Sequence, residues 1–394
     1  MSPKSTLIKK LSSIVGEKHL STQAADRALY SSDMWPKAQI WRLQGTPTPY
    51  LPDAIIRPEN TEQIVEIISV SNETKVPLIP YGGGSGVCGG TLPVNGGIML
   101  DMKRMSRIDS LDEETLSIRV EAGAIGEILE RTLNAAGYTL GHFPSSIYCS
   151  TTGGWAATRS AGQYSTRYGK IEDMIMGLRF VDGAGRIYDT ELWDQRNTDL
   201  QLTPLIVGSE GILGVITDLS LKIHNLPEGK EFRGLMMPGV AEGLDLIHRL
   251  MQEGPSPLVL RMYDPFDTLM CGLQKMRDDK EEGSLPEKYK SWIQKNLSLL
   301  PSSAQEFMHN MERAVFGFGL SHATTVNRLV RLTMNSCLVI LGYEGDNPLV
   351  RSAMDKAIFH AEKLGGTKRK RQRQRQTNGN GKGRQTATAN ADKD

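Results

Sequence analysis

The sequence predicts an α+β protein with two folded domains, and three observations lead to this prediction. Between Pro52 and Pro227, short strand patterns alternate with amphipathic helix patterns, and several strands run into glycine-rich loops. After Pro227 a separate β-α-β pattern begins, and a β-α pattern follows it later in the chain. The 394 residues suffice for two or three domains with a substantial core.

Composition and charge argue against several classes of protein. The chain is 39% hydrophobic and 23% charged, which is ordinary for a soluble enzyme. Its net charge of +1 is unevenly spread, because residues 367–394 carry nine Lys or Arg and two Asp while the rest is mildly acidic. We therefore expect no nucleic acid to bind the folded part. No run of eighteen apolar residues occurs, so no transmembrane segment is predicted, and residues 1–16 lack the apolar region of a secretory signal.

The cysteines and histidines predict no metal site. The four cysteines lie far apart and form no C-x-x-C pair, so neither a zinc site nor a disulfide framework is indicated. The seven histidines form no H-E-x-x-H motif and no close pair. A reducing, cytoplasmic location fits these patterns best.

The first elements of the chain follow from periodicity and capping. Residues 1–47 are predicted to be a polar, helical N-terminal extension. A strand at Asp53–Pro58 comes next, and Glu59–Thr61 then caps a helix. Ile64, Ile67, Ile68 and Ser71 are predicted to lie on one face of that helix. Further strands are predicted at Val76–Pro80, Ile98–Asp101 and Leu116–Glu121. Between Gly123 and Gly137 a helix is predicted to bury Ile125, Ile128, Leu129 and Leu133.

A loop almost without side chains follows the strand at Val76–Pro80, and it reads Pro80-Tyr-Gly-Gly-Gly-Ser-Gly-Val-Cys-Gly-Gly90. Glycines expose backbone N–H groups and let a ligand lie against the main chain, so a phosphate-bearing cofactor is predicted here. A side chain at Gly83 is expected to occupy the ligand's space. The alternative is a glycine-rich surface loop without a ligand.

Part of this loop matches a dinucleotide fingerprint letter for letter. Gly84-Ser-Gly86-Val-Cys-Gly89 satisfies G-x-G-x-x-G, which in a nicotinamide-binding unit opens a helix. The residues that follow include Pro93 and further glycines, which cannot continue a helix. Nicotinamide binding is therefore disfavoured.

Two more glycine motifs occur later in the chain. The first, Ser150-Thr-Thr-Gly-Gly-Trp-Ala-Ala-Thr-Arg-Ser-Ala-Gly162, supplies hydroxyls and small residues, although alone it fits a serine-rich turn before a helix equally well. The second, Val207-Gly-Ser-Glu-Gly-Ile-Leu-Gly-Val-Ile-Thr217, leads into an alternating strand that ends at Pro227. Three such loops predict one cofactor held from several sides.

Together with Tyr168-Gly-Lys-Ile-Glu-Asp173, these motifs resemble the FAD-binding domain of the vanillyl-alcohol oxidase and p-cresol methylhydroxylase (PCMH) flavoproteins. The Gly-Gly-Trp and Thr-Arg-Ser stretch and the preceding Gly141-His-Phe-Pro144 resemble the alkyldihydroxyacetonephosphate synthase branch most. Glycolate oxidase D-subunits and D-lactate dehydrogenases are the nearest alternatives. The resemblance extends over about Pro52 to Gly366.

The resemblance implies a domain organisation for the whole chain. Residues 48–227 would form a two-subdomain PCMH-type FAD-binding domain after the extension at 1–47. Residues 228–366 would form an incomplete ferredoxin-like α+β cap domain, and residues 367–394 a disordered basic tail.

The resemblance also implies the cofactor-binding residues, segment by segment. They are Pro80, Tyr81, Gly82, Gly83, Gly84, Ser85, Gly86, Ser145, Ser146, Ile147, Tyr148, Cys149, Ser150, Thr151, Thr158, Arg159, Ser160, Ala161, Glu210, Gly211, Ile212, Leu213, Gly214, Val215 and Ile216. Ser85 stands where covalently flavinylated members often carry histidine, so non-covalent FAD is implied. Ser145 departs from the aspartate of the synthase branch, which weakens the assignment to that branch.

The cap is predicted from a change of pattern after Pro227. Its strands are predicted at Phe232–Met237, Pro257–Met262 and Cys337–Gly342. Its helices are predicted at Ala241–Glu253, with apolar Leu244, Ile247, Leu250 and Met251, and at Pro348–Leu364. The segment around Pro286 to Ser302 reads as an irregular insertion.

Arg261 is the candidate catalytic residue. It lies in an apolar strand, where a charge must face a partner or a cavity, and it matches an arginine that is important in the synthase branch. An ion pair with Asp264 or another acid is the alternative.

After Gly365-Gly366 the family continues into the rest of the cap, which holds a substrate-binding arginine, a catalytic tyrosine and histidines. This chain has a basic run instead. A truncated or frameshifted reading frame is the favoured interpretation, and a paralogue without the chemistry is the alternative. Nuclear targeting by Lys368–Arg371 is a weaker reading of the basic run.

The implied function is that of a FAD-dependent enzyme. The synthase branch exchanges an acyl group for a fatty alcohol through a bond to flavin N5, without net oxidation. The alternatives are a FAD-linked 2-hydroxy-acid dehydrogenase or oxidase and an inactive flavin-binding remnant. The expected partner is a small-molecule or lipid-like substrate; peripheral contact with a membrane and a homodimer stay open.

Overall fold

The computed structural model describes residues 3–109, 111–196, 200–268, 271 and 336–368. These residues form three four-stranded sheets and one two-stranded pair, with helices packed on them. The predicted insertion around Pro286 to Ser302 and nearly all of the predicted tail lie outside the described residues. Within the described part, no helix is both long and apolar enough to cross a membrane.

The first sheet has the strand order β1-β2-β4-β3. Its strands are β1 (Leu20–Ser21), β2 (Ala54–Ile56), β3 (Leu78–Tyr81) and β4 (Ile98–Asp101). Both β2 and β3 pair with β4 in parallel, and helix α4 (Thr61–Thr74) connects β2 to β3. The Asn60 side chain accepts a hydrogen bond from the Gln63 N–H at 2.9 Å, so α4 begins where the sequence predicts.

The N-terminal segment is part of this first unit. Its helices are α1 (Pro3–Val15), α2 (Ala24–Leu29) and α3 (Pro36–Leu43). Leu7, Leu11 and Val15 are buried in the same core as Ile64 and Ile67 of α4. Strand β1 extends the sheet by pairing antiparallel with β2. The predicted helices are present, and the segment also supplies an edge strand and core residues.

The second sheet is antiparallel, in the order β5-β9-β7-β8. Its strands are β5 (Ser117–Glu121), β7 (Ile175–Asp182), β8 (Ile187–Asp189) and β9 (Gly214–Lys222), and a separate pair joins β6 (Tyr138–Thr139) to β10 (His224–Asn225). The accompanying helices are α5 (Gly126–Ala135), α6 (Thr152–Thr158), α7 (Ser165–Tyr168), α8 (Ile171–Met174), α9 (Thr190–Arg196) and α10 (Thr203–Ile206). Val181 and Val215 of this sheet pack into the core of the first one, which joins the two sheets.

The third sheet has the order β12-β13-β11-β14 and is antiparallel throughout. Its strands are β11 (Gly229–Met237), β12 (Val259–Tyr263), β13 (Cys337–Gly345) and β14 (Thr367–Lys368). Helices α11 (Val240–Gln252) and α12 (Asn347–Lys363) cover one face, where Leu246, Leu341 and Met354 belong to one core. We call residues 229–268 and 336–368 the C-terminal unit.

Some details of the sequence prediction were wrong. Ile128, which was predicted to be buried, is 44% exposed, because helical periodicity does not reveal how much of a helix the neighbouring sheet covers. Thr367 and Lys368, assigned to the disordered tail, instead pair with Met236 and Leu235 of β11. The fourth strand of the C-terminal sheet therefore comes from the first residues of the predicted tail.

A buried carboxylate joins the C-terminal unit to the second sheet. The Glu344 side chain is fully buried, and Lys230 Nζ lies 3.0 Å from its Oε2. Arg167 Nε, from α7, lies 3.4 Å from Glu344 Oε1. Burial and the Glu344 carboxylate raise the pKa of Tyr168, which also faces this group. These contacts hold α7 against the face of the third sheet that carries no helices.

Replacing Glu344 by glutamine is expected to lower the free energy of unfolding by about 1–3 kcal/mol, since the two cations lose their buried counter-charge but stay partly hydrated. Denaturant unfolding of wild type and variant measures this difference. Glu253→Gln is the matched control, because Glu253 pairs with Lys356 at the surface and should cost less than about 0.5 kcal/mol. Equal stability of Glu344→Gln and wild type would contradict a stabilising role for this cluster.

Candidate functional site

The three glycine motifs meet at one place in the structure. A Cβ atom at Gly83 would overlap the Cys149 carbonyl oxygen, and one at Gly82 would overlap the Thr151 hydroxyl, so the first loop lies directly on the second. A Cβ atom at Gly211 would come within 3.1 Å of Pro80, which places the third loop against the first. The first loop thus lies against the second at Gly82 and Gly83, and against the third through the Pro80 ring.

The loop from Gly82 to Gly97 contains no helix, and the next regular element is β4. This confirms the prediction that the G-x-G-x-x-G match does not open a helix.

A buried ionic network supports the first loop from behind. The Asp101 carboxylate is 1% exposed and accepts hydrogen bonds from the Tyr30 hydroxyl at 2.6 Å and from Lys103 Nζ at 2.7 Å. Lys103 Nζ also donates to the Gly82 carbonyl at 2.9 Å. Burial, and secondly the bond to Asp101, raises the pKa of Tyr30 to about 12. One cation therefore connects a buried carboxylate to the loop backbone.

The third loop is attached to the end of α6. The Gly208 N–H donates to the Ala156 carbonyl and the Glu210 N–H to the Ala157 carbonyl, both at 2.9 Å. Arg159 follows α6 in the left-handed conformation, with φ 49°, and its Nε donates to the Val207 carbonyl at 3.0 Å. These hydrogen bonds join the second and third motifs to each other.

Between the loops lies a cleft of about 440 Å³. Such a volume is within the range of small-molecule and cofactor sites. The predicted residues that line it are Pro80, Tyr81, Gly82, Gly83, Gly84, Ser85, Gly86, Ser146, Ser150, Thr151, Thr158, Arg159, Ser160, Ala161, Glu210, Gly211, Gly214, Val215 and Ile216.

The other predicted residues do not line the cleft. Ile147 is buried in the core of the second sheet, while Tyr148 is 74% and Ile212 85% exposed. Ser145 and Cys149 are also exposed, and Leu213 is 41% exposed. The carried-over segments include these residues only because they are continuous in sequence, whereas successive side chains point in different directions.

Several residues that line the cleft were not among the cofactor-binding residues implied by the resemblance. They are Asp33, Ile79, Val87, Cys88, Gly90, Thr91, Met102, Ala122, Gly153, Gly154, Trp155 and Ala157. Seven of them lie inside the first two glycine motifs, but outside the segments carried over from the family. Asp33 differs, because it comes from the N-terminal segment and no motif marks it.

His142 lies behind the second motif. It is 1% exposed, and its ring meets Trp155 edge-on at 4.6 Å between centroids. Its Nε2 is 3.2 Å from the Ser160 hydroxyl, and Ser160 lines the cleft. Burial lowers the pKa of His142 to about 4, with a smaller opposing effect from Glu172. The imidazole is therefore neutral near pH 7 and can orient the Ser160 hydroxyl.

Arg261 does not line the cleft. It is exposed on the helix-free face of the third sheet, opposite Ile340 of β13. Glu344 lies on that same face, at the end that contacts α7. No ion pair of Arg261 with Asp264 occurs among the contacts within the described residues, and the catalytic role of Arg261 stays a prediction.

Comparison with known proteins identifies the class of domain that forms this cleft. Residues 52–191 of this chain are similar to the family described as FAD binding domain. FAD is accordingly its cofactor, and the resemblance predicted from the glycine motifs is confirmed.

Individual relatives share this domain. The chain is 35% identical over 234 residues to alkyldihydroxyacetonephosphate synthase of Trypanosoma brucei brucei, an alignment covering 58% of this chain and 38% of that one. It is 34% identical over 223 residues to glycolate oxidase subunit GlcD of Bacillus subtilis, covering 56% and 45%. The chain thus spans less than half the length of either relative. A solved structure of alkyldihydroxyacetonephosphate synthase superposes with a TM-score of 0.69 at 24% identity, covering 92% of this chain and 60% of that one, which shows a shared fold.

The residues present fit FAD. Main-chain amides and hydroxyls from the three loops, including Ser85, Ser150 and Ser160, line the cleft and suit phosphate and carbonyl oxygens. In addition, a buried oxygen of Asp33 that borders the cleft has no hydrogen-bond partner within the described residues, which a bound ligand can supply.

A valine at Gly83 is expected to disrupt the site by separating two loops. We expected a side chain there to fill the ligand's space, but the structure shows that it would strike the Cys149 carbonyl first. Gly83→Val should leave the protein without flavin after purification, or reduce flavin affinity at least about tenfold. Gly183→Val is the control, because Gly183 has no atoms within 4 Å of its Cβ position and should retain the flavin content of wild type. Full flavin content in Gly83→Val would contradict this packing.

Lowering the pH from 6.5 to 4 is expected to destabilise the fold through His142. An unfolded histidine binds a proton near pH 6.5, whereas the folded pKa is about 4, so only the unfolded state gains protons across this window. The contribution of neutral His142 to the free energy of unfolding is fully present above pH 6.5, and about 3 kcal/mol of it is lost as the pH falls to 4. Denaturant unfolding as a function of pH should show a shallower slope for His142→Gln than for wild type. His248→Gln, at an exposed position, should keep the wild-type slope.

Proposed function

We propose that this chain acts as a FAD-dependent enzyme of the alkyldihydroxyacetonephosphate synthase type, which exchanges the acyl group of a lipid-like substrate for an alkyl group. The observation that carries the proposal is the single cleft formed by three glycine loops. Likeness to the trypanosomal synthase, at 35% identity, supports this branch. The proposal includes non-covalent binding of FAD, because the first loop has Ser85 and no histidine to which the flavin could be attached.

The roles of the chain's own residues follow from their chemistry. The backbone amides of the first loop would bind the diphosphate of the cofactor, and the Asp101 and Lys103 network would keep that loop in place. His142 would orient the Ser160 hydroxyl toward the bound group. When bound, FAD supplies the electron chemistry that these side chains lack.

The C-terminal unit would form the substrate side of the site as a ferredoxin-like cap. Its strand order, β12-β13-β11-β14, and the two helices on one face of the sheet suit a ferredoxin-like domain. The face without helices presents Arg261, and its Glu344 end contacts α7 of the FAD-binding part. On this proposal Arg261 binds an anionic group of the substrate and stabilises negative charge that develops there.

A FAD-linked dehydrogenase or oxidase of 2-hydroxy acids is the second candidate. The likeness to a glycolate oxidase subunit favours it, and Arg261 would suit a carboxylate as well as a phosphate. In that case a side chain would have to accept the proton of the hydroxyl group, and FAD held by the glycine loops would supply the redox chemistry. A third candidate is a protein that binds flavin without turnover.

Anaerobic spectroscopy of the purified protein distinguishes these candidates. We expect a flavin spectrum, release of the flavin on denaturation, and no bleaching by D-lactate, D-2-hydroxyglutarate or glycolate. Conversion of acyl-dihydroxyacetone phosphate and a labelled fatty alcohol into labelled alkyl-dihydroxyacetone phosphate, with release of the fatty acid, should be detectable. Arg261→Ala should retain flavin and lose about 100-fold of this activity, whereas Arg249→Ala, on α11, should retain both.

Other results would exclude the proposal. Bleaching by a 2-hydroxy acid indicates the dehydrogenase, and bound flavin without either reaction indicates the inactive protein. A purified protein that neither contains nor binds flavin would contradict all three candidates.

A further inference from the structure

Asp33 is a buried acid in the wall of the cleft. It lies between α2 and α3, is 2% exposed and borders the cleft. Its Oδ1 accepts a hydrogen bond from the Trp35 N–H at 2.9 Å. Its Oδ2 is buried and has no hydrogen-bond partner within the described part of the chain. A buried carboxylate oxygen without a partner is costly, so this atom points to a partner that binds from outside the chain.

The surroundings hold this carboxylate at the end of the first glycine loop. The Met34 N–H donates to the Gly86 carbonyl at 2.9 Å, which attaches the N-terminal segment to the loop. A Cβ atom at Gly86 would lie 3.6 Å from Asp33 Oδ2, so the glycine leaves the carboxylate open on this side. Asp33 Oδ2 is thereby fixed beside the backbone that suits a diphosphate.

The missing partner must be a hydrogen-bond donor. A diphosphate is anionic and only accepts hydrogen bonds, so it cannot pair with a carboxylate. In FAD, however, sugar hydroxyls flank the diphosphate on both sides, in the ribose of the adenosine half and in the ribityl chain of the flavin half. Both are donors within the part of the cofactor that lies along the loop.

We propose that Asp33 Oδ2 accepts a hydrogen bond from a sugar hydroxyl of FAD next to its diphosphate, which makes the N-terminal segment part of the cofactor site. The proposal rests on FAD binding in the cleft and extends it beyond residues 52–191, where the domain match lies. It also gives Asp33 two opposing effects. The unpaired Oδ2 atom destabilises the fold of the flavin-free protein, whereas the hydrogen bond to the sugar hydroxyl stabilises the complex with FAD.

Titration of the flavin-free protein tests this proposal without relying on activity. Asp33→Ala should weaken FAD binding about 10- to 100-fold, as expected for the loss of a hydrogen bond to a charged group. Asp33→Asn keeps an oxygen that accepts the hydrogen bond of the Trp35 N–H, so it should weaken FAD binding less than Asp33→Ala does. This variant should unfold at the same denaturant concentration as wild type or at a higher one. Calorimetry and flavin fluorescence measure the dissociation constants.

Titration with two further ligands, FMN and ADP, identifies which sugar of FAD donates the hydrogen bond to Asp33. FMN contains the ribityl chain only, and ADP contains the ribose only. If the ribose is the donor, Asp33→Ala weakens ADP by the same factor as FAD and leaves FMN unchanged. If the ribityl chain is the donor, the pattern is reversed.

Asp26→Asn is the matched control. Asp26 lies in the same segment but accepts a hydrogen bond from the Ser21 hydroxyl and does not line the cleft. This variant should lose stability and keep the FAD dissociation constant of wild type. FAD dissociation constants within twofold of wild type in both Asp33 variants would overturn the proposal and leave FAD binding itself intact. A wild-type protein that does not bind FAD would overturn both.

Discussion

The main constraint on this structure is the close packing of three glycine loops against one another. Gly82 and Gly83 lie on the carbonyl and hydroxyl groups of the segment that ends at Thr151, with no room for a β-carbon. Such contact is open only to glycine, since any other residue would push the loops apart. The cleft exists because these backbones approach one another from different parts of the chain. Its shape therefore depends on main-chain geometry more than on any single polar side chain.

Two devices keep the loops in this arrangement. Behind the first loop, the Asp101 carboxylate and the Lys103 ammonium group hold the Gly82 carbonyl. Behind the second and third, Arg159 donates to the Val207 carbonyl, and His142 contacts the Ser160 hydroxyl. In both places a side chain holds a backbone carbonyl or a hydroxyl group in position. Buried polar groups with satisfied partners give rigidity of this kind.

Local patterns in the sequence predicted the three loops and many elements of the fold, but strand β7 and helices α7 to α10 were not predicted. Capping by Asn60 and the isoleucine spacing of α4 defined that helix, and three glycine motifs were enough to predict one shared cofactor. Burial was harder to predict, as Ile128 shows, because it depends on which neighbours cover each helix face. Segments copied whole from a family motif also include residues such as Ile212 that face solvent.

The reach of the N-terminal segment has a practical consequence for how the domain is delimited. The match to the family described as FAD binding domain begins at residue 52, yet a fragment cut there would lack the edge strand β1, the apolar residues of α1 and the acid at position 33. Ile64 and Ile67 of α4 would then be uncovered on one side, and the cleft would open to water near Gly86. The smallest part of the chain that folds on its own is accordingly larger than the region that matches the family. Recombinant fragments cut at the limits of that match would be prone to aggregate.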